Sequence, residues 1–161
     1  MLKLTWIAVV VLILDQTTKY IAVSALLGQP PMEIAPFFNF SLVYNTGAAF
    51  GFLNSASGWQ NIFFVSVAIV VSVFILIYLK RLSRADIQVA IALLLVLGGA
   101  LGNVTDRLML GHVVDFVDLH YAGWHWPAFN VADSAIFIGA ALLILDAFGI
   151  RWGGAGDSSG D

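Results

Sequence analysis

The chain has 161 residues, of which 60% are hydrophobic and only 11% charged, with a net charge of -3. A soluble domain carries about 25% charged residues, and so short a chain has no core able to hide this much apolar surface, so the excess must face lipid. The absence of a basic stripe argues against a nucleic-acid partner, and the absence of cysteine removes disulfides, thiolate metal sites, a cysteine nucleophile and lipidation of the chain itself.

Four apolar stretches follow one another, each near the ~20 residues that a bilayer-spanning helix needs. They predict an all-α membrane protein with four transmembrane helices, a single membrane-embedded domain over 1–152. The first span, 4–27, is interrupted by Asp15, Gln16 and Lys19. Lys3, the apolar run and Ala22-Val23-Ser24-Ala25 also fit a cleaved signal peptide. Against that, Asp15 and Lys19 sit where such a peptide stays apolar, and three more spans follow. Asp15 and Lys19 are four residues apart with the acid first, the favourable order for a structural pair. A proton relay is the alternative.

The segment 28–58 has no Lys or Arg. Within it Phe38, Phe40, Leu42 and Tyr44 alternate, which predicts a strand or hairpin with one apolar face, ended by a turn at Asn45-Thr46-Gly47. A small extracytoplasmic β-sheet between the first two helices is therefore expected, resting on the membrane surface. The second span covers 59–79, and a short basic connector with Lys80, Arg81 and Arg84 leads into the third, 87–110. There Gly98, Gly99, Ala100 and Gly102 favour close helix approach and leave room for a substrate. Asn103, Asp106 and Arg107 are three and four residues apart, so they project from roughly one face.

The next segment, 111–129, again lacks Lys and Arg. It carries Asp115 and the aromatics Tyr121, Trp124 and Trp126, which suit an interfacial belt. The fourth span, 130–150, opens with Phe129-Asn130-Val131-Ala132-Asp133-Ser134, where Asn130 and Asp133 share a face. Asp146 and Arg151 form a structural pair at its far end, and the Gly, Ser and Asp of 153–161 predict a disordered tail. Lys3, Lys80, Arg81, Arg84 and Arg151 fall on one side, which the positive-inside rule makes cytoplasmic. Both termini are then cytoplasmic, and Asp115 and Asp133 lie near the outer surface at adjoining helix ends.

Ionisable residues at membrane depth are costly and usually functional. Two carboxylates converging where water is scarce cannot both ionise, so one keeps its proton. Such a pair can activate water with one member and polarise a carbonyl with the other, and Asn103, Arg107 and Asn130 would orient the acids or bind substrate carbonyls. Spacing leaves other roles open. Asp133 also suits a helix cap or dipole partner. Asp106 and Arg107 also suit a structural ion pair or a strap on the outer loop, and Arg107 a lipid phosphate or backbone carbonyl. His112, His120 and His125 lack the spacing of a zinc hydrolase, so no metal or cofactor is expected, and Ser41 and Ser134 have no adjacent base. Two other functions compete with hydrolysis: a proton- or ion-coupled transporter using Asp15, Asp106, Asp115 and Asp133 as a relay, and a scaffold whose polar residues only hold helices together.

The chain resembles bacterial lipoprotein signal peptidase, or signal peptidase II, over almost its whole length. The likeness is carried by Asp15-Gln16-Thr17-Thr18-Lys19, by Asn45-Thr46-Gly47-Ala48-Ala49-Phe50 and by the run from Gly98 to Arg107. Val114-Asp115-Phe116 and Phe129-Asn130-Val131-Ala132-Asp133-Ser134 complete it. The resemblance implies an intramembrane aspartyl endopeptidase of the bacterial inner membrane, with Asp115 and Asp133 as the catalytic pair. Asn45, Asn103, Arg107 and Asn130 are implied as substrate-binding or dyad-supporting residues, and Asp15 as a structural one. The implied substrate is a prolipoprotein whose lipobox cysteine carries diacylglycerol, cut just before that cysteine, and the implied inhibitor is the cyclic peptide globomycin.

Overall fold

The structure, a computed structural model, describes residues 1–47 and 59–152. The tail expected at 153–161 and the last part of the outer segment, 48–58, lie outside the described residues. After a 3-10 turn at Leu2–Leu4, the order is α1 (Trp6–Leu26), β1 (Met32–Ala35), β2 (Phe38–Asn45), α2 (Trp59–Leu79), α3 (Ile87–Leu110), β3 (Val113–Tyr121), β4 (Trp124–His125) and α4 (Val131–Ala147). Among the described residues, three helical segments are long and apolar enough to cross a membrane: Leu2–Leu26, Trp59–Leu79 and Arg84–Leu110. The fourth helix is shorter than the stretch 130–150 expected from sequence. Asn130 is its cap, and it stops at Ala147 because Gly149 turns left-handed at φ 79° and Ile150 N donates back to Leu145 O. Its 17 residues rise about 25 Å.

α3 is the central helix, packed on α1, α2 and α4. Its small residues set those distances. A Cβ on Gly99 would run into the carbonyl of Ala132 on α4, and one on Gly102 would lie 2.5 Å from Asp15 Oδ2 on α1. The space opened by these glycines is thus taken by neighbouring helices rather than left for a substrate. One apolar cluster joins Ala8, Ile75, Leu79, Ala90, Leu94 and Leu97 at the end where α3 begins. A second joins Ala22, Leu26 and Phe116 under Phe40 and Leu42 at the other end. Along α1 and α3 the buried polar residues Asp15, Lys19, Asn103 and Asp106 lie between the two.

The sheet differs from expectation in one respect. It has four antiparallel strands in the order β1-β2-β3-β4, and half of them come from the segment between α3 and α4 rather than from that between α1 and α2. Val113, Val114, Asp115 and Phe116 are all buried, so this strand is covered on both faces and shows no alternation to read. The alternation expected in β2 also breaks. A bulge between Phe40 and Val43 shifts the register; Phe40 and Leu42 pack on the core, while Tyr44 is exposed and meets the His112 ring at 4.5 Å.

Candidate active site

The site forms where the sheet meets the helices. Asp115 is the third residue of β3, not a helix-end residue as expected, and it pairs across the sheet with Val43. Asn45 lies two residues beyond Val43, on the same face of β2, so it is the diagonal neighbour of Asp115. Its Nδ2 donates to Asp115 Oδ2 at 3.1 Å. Further along β3, Val117 exchanges two backbone hydrogen bonds with Phe129, at 2.9 and 3.1 Å. That bridge fixes the start of α4 beside β3 and brings Asn130 against Asp115, to which Asn130 Nδ2 donates at 2.7 Å.

α4 begins with a capping box. Asn130 Oδ1 accepts from Asp133 N at 2.9 Å, and Asp133 Oδ2 accepts from Asn130 N at 3.3 Å. The cap is therefore Asn130, and Asp133 is its partner three residues on. The other oxygen of Asp133 accepts from Asn103 Nδ2 at 2.8 Å. Asn130 is wholly buried, Asp115 is 2% exposed and Asn103 8%.

All three asparagines obey one rule. An amide presents a carbonyl oxygen and an NH2 group, and which one faces a carboxylate is decided by what holds the other. Gly47 N donates to Asn45 Oδ1 at 3.1 Å, Asp133 N to Asn130 Oδ1, and Lys19 Nζ to Asn103 Oδ1 at 3.0 Å. Backbone N–H and ammonium groups only donate. Each asparagine must therefore turn its NH2 toward Asp115 or Asp133.

Beneath this pair lies a second group of acids. Lys19 Nζ is 2.8 Å from Asp15 Oδ2 and 2.9 Å from Asp106 Oδ2, with all three side chains almost wholly buried. Asp15 Oδ1 also accepts from Ala132 N at 2.9 Å, in the first turn of α4, and Asp106 Oδ2 accepts from Val114 N at 3.0 Å, at the start of β3. Asp106 thus straps the outer segment, but its ion partner is Lys19 and not Arg107. Gln16, which the sequence marked only as a polar interruption, donates to Asp106 Oδ1 at 2.8 Å and to Gly102 O at 3.3 Å. Arg107 stands apart from the asparagines. Its guanidinium lies 5.0 Å from the centre of the Phe64 ring, Nη1 donates to Asn103 O at 3.5 Å, and Nε is buried without an acceptor among the described residues.

No cation pairs directly with Asp115 or Asp133 among the described residues. Burial, and next the charge of Asp133, push the Asp115 carboxyl up to about 7, against the amide bonds from Asn45 and Asn130 and the charge of Lys19. A carboxyl that keeps its proton near neutrality beside a second carboxylate can act as an acid while its neighbour acts as a base. A groove of about 490 Å³ opens at Asp133, lined by Leu119, Trp126, Phe129, Ser134, Phe137 and Ile138. At the rim, His125 Nδ1 is 2.8 Å from Asp118 Oδ1, and His120 and His125 stack at 5.0 Å. At the far end of α4, Arg151 and Asp146 pair at 2.8 Å.

Long apolar helices packed around a buried polar layer mark a multi-pass membrane protein. The comparisons with known proteins agree. A family profile described as Signal peptidase (SPase) II matches residues 7–149. The lipoprotein signal peptidase of Alteromonas mediterranea is 52% identical over 147 residues, covering 91% of this chain and 81% of its own length. Those of Coxiella burnetii and Polynucleobacter necessarius are 51% and 53% identical, covering 87% and 89% of this chain and 86% and 88% of their own. Two solved structures, each described as a bacterial membrane enzyme, superpose with TM-scores of 0.77 and 0.78 at 33% and 34% identity. They cover 97% and 88% of this chain, and 93% and 90% of their own. The chain belongs to the signal peptidase II family and is a membrane-bound protease.

Proposed function

We propose that this protein removes signal peptides from prolipoproteins as an aspartic endopeptidase, cutting just before a lipobox cysteine that carries diacylglycerol. The observation that carries the reading is the contrast between Asp115 and Asp133, held among the described residues by amides, and Asp15 and Asp106, held by Lys19. Asp133 takes a proton from a water molecule as that water attacks the scissile carbonyl. Asp115, still protonated, donates to the carbonyl oxygen. The tetrahedral intermediate then collapses: one of its hydroxyl groups returns a proton to Asp115, the C–N bond breaks, and the departing amine takes the proton held by Asp133. Arg107, with Nε unclaimed, is a donor for a substrate carbonyl. The same contrast weighs against transport, since a relay needs acids free to exchange protons, and Asp15 and Asp106 are locked onto one lysine.

In this reading α4 is the fourth span, the basic ends of the helices face the cytoplasm of a bacterial inner membrane, and the sheet lies outside. A peptide must be extended to be cut, and its free backbone groups are costly in lipid. The outer segment 28–58 forms a clamp that lowers that cost, with 48–58 of it outside the described residues. The apolar groove beside Asp133 takes acyl chains or apolar side chains of the signal peptide. Globomycin competes for the same place.

The test is proteolysis in reconstituted bilayers with two precursors, one carrying a diacylglyceryl-cysteine and one with that cysteine replaced by serine. Cleavage of the lipidated precursor alone, blocked by globomycin, is the expected result. Equal cleavage of both would contradict the lipid-dependent specificity.

A further inference from the structure

A second cleft lies at the opposite end of α3 from Asn103. It encloses about 740 Å³ and is lined by Met1, Leu2, Lys3, Leu4, Lys80, Arg84 and Ile87. These residues come from three parts of the chain: the turn before α1, the end of α2 and the start of α3. All three mark limits of the apolar segments Leu2–Leu26, Trp59–Leu79 and Arg84–Leu110, so the cleft sits where the bilayer meets water. From Ile87 to Asn103 the axis of α3 runs about 24 Å, which separates the cleft from the hydrolytic site.

Three of the seven lining residues are cations and none is an acid. Neither Lys3, Lys80 nor Arg84 forms an ion pair among the described residues. The acids nearest in sequence are engaged elsewhere: Asp15 holds Lys19, and Asp86 accepts from Ser83 N at 3.0 Å and from Ser83 Oγ at 2.7 Å. Beside the cations lies apolar surface, with Leu2 43% and Ile87 44% exposed. The cleft therefore offers uncompensated positive charge next to a hydrophobic wall, at the depth of a lipid phosphate.

We propose that this cleft is a binding site for one anionic phospholipid, its phosphate held by Lys3, Lys80 and Arg84 and the head of an acyl chain lying on Leu2, Leu4 and Ile87. Basic pockets between helix ends recognise lipid headgroups in this way. A signal peptide is a poor occupant, because its n-region is itself positive and the three cations repel it. The proposal rests on the helices being membrane-embedded and not on the assignment of Asp115 and Asp133.

The full chain, purified in detergent and stripped of lipid, would be titrated in turn with phosphatidylglycerol and phosphatidylcholine, and bound lipid counted by native mass spectrometry. The wild type should retain phosphatidylglycerol about tenfold better. The combined K3Q, K80Q and R84Q variant should lose that preference, while K3R, K80R and R84K together keep it. Matching thermal midpoints in detergent would show that the glutamine variant is folded, and its cleavage of a diacylglyceryl-modified precursor in detergent should be unchanged. Equal retention of both lipids by the wild type would overturn the proposal. So would a preference that survives in the glutamine variant, or displacement of the lipid by millimolar inorganic phosphate or a soluble acidic peptide.

Discussion

The polar layer of this protein contains two pairs of carboxylates, and they are held by different chemistry. Asp15 and Asp106 share the ammonium of Lys19 at 2.8 and 2.9 Å; Asp15 spends its other oxygen on the first turn of α4, while Asp106 holds the start of β3 with the same Oδ2 and Gln16 with Oδ1. Among the described residues, Asp115 and Asp133 receive only amide and backbone N–H donors. A fixed cation holds a buried acid in place and makes it part of the frame. Amides hold a carboxyl in place and leave its proton free to move. The link between the pairs is Asn103, whose oxygen faces Lys19 and whose NH2 faces Asp133. The frame thus aims the pair above it.

The most severe way to break the comparison is to remove the cation. Lys19→Met leaves two buried carboxylates without their charge partner, an imbalance worth about 3–5 kcal/mol. The thermal midpoint in detergent should fall sharply, and a compensating Asp106→Asn change should recover part of it. A midpoint unchanged in the single variant would mean that the triad is not ionised.

A pH series sharpens the difference between the pairs. Asp115 has a folded value of about 7 against an ordinary 3.8. Its carboxyl ionises more readily when unfolded, so from about pH 4 upward the protein loses stability from this group, and the loss levels off above about 7. The effect is on the order of a few kcal/mol at most. Asp115→Asn should therefore gain on the wild type as pH rises across this window, measured as the difference between their thermal midpoints. A constant difference would show that Asp115 is already ionised at low pH.

Asn103→Leu tests the link. It removes one donor from Asp133 and the acceptor of Lys19, a loss of about 1–3 kcal/mol, read as roughly a ten- to hundredfold drop in kcat/KM. Asp146→Asn is the smallest perturbation. Its pair with Arg151 has the arginine half exposed, so stability should change by less than about 1 kcal/mol and turnover not at all.

How far the sequence foretells these features depends on how local they are. α2 and α3 run over the stretches read from composition, Trp59–Leu79 and Ile87–Leu110, because a span needs only a long apolar run. The pair Asp15 and Lys19 is legible from its four-residue spacing, whereas the cap that the sequence suggests at Asp133 belongs to Asn130. Lys19's second partner, Asp106, is not, since it is 87 positions away and only the crossing of α1 and α3 brings it near. β3 also escapes the pattern. It is buried on both faces and its partner strand lies in the segment 28–58, so the aromatics that follow it read as a membrane belt. Of the three asparagine orientations, those of Asn45 and Asn130 follow from local donors at Gly47 and Asp133, while that of Asn103 depends on Lys19 from another helix and no spacing rule encodes it.

The most direct test of the account is cleavage of a diacylglyceryl-modified precursor by the wild type, Asp115→Asn, Asp133→Asn and Asp15→Asn, each reconstituted in bilayers and shown to be folded by its thermal midpoint. The account predicts that Asp115→Asn and Asp133→Asn each lose about 10²–10⁴-fold in rate, while Asp15→Asn, whose amide oxygen still accepts from Ala132 N, retains measurable turnover. Substantial cleavage by either Asp115→Asn or Asp133→Asn would contradict it, because an asparagine at either position cannot exchange the proton that the reaction requires.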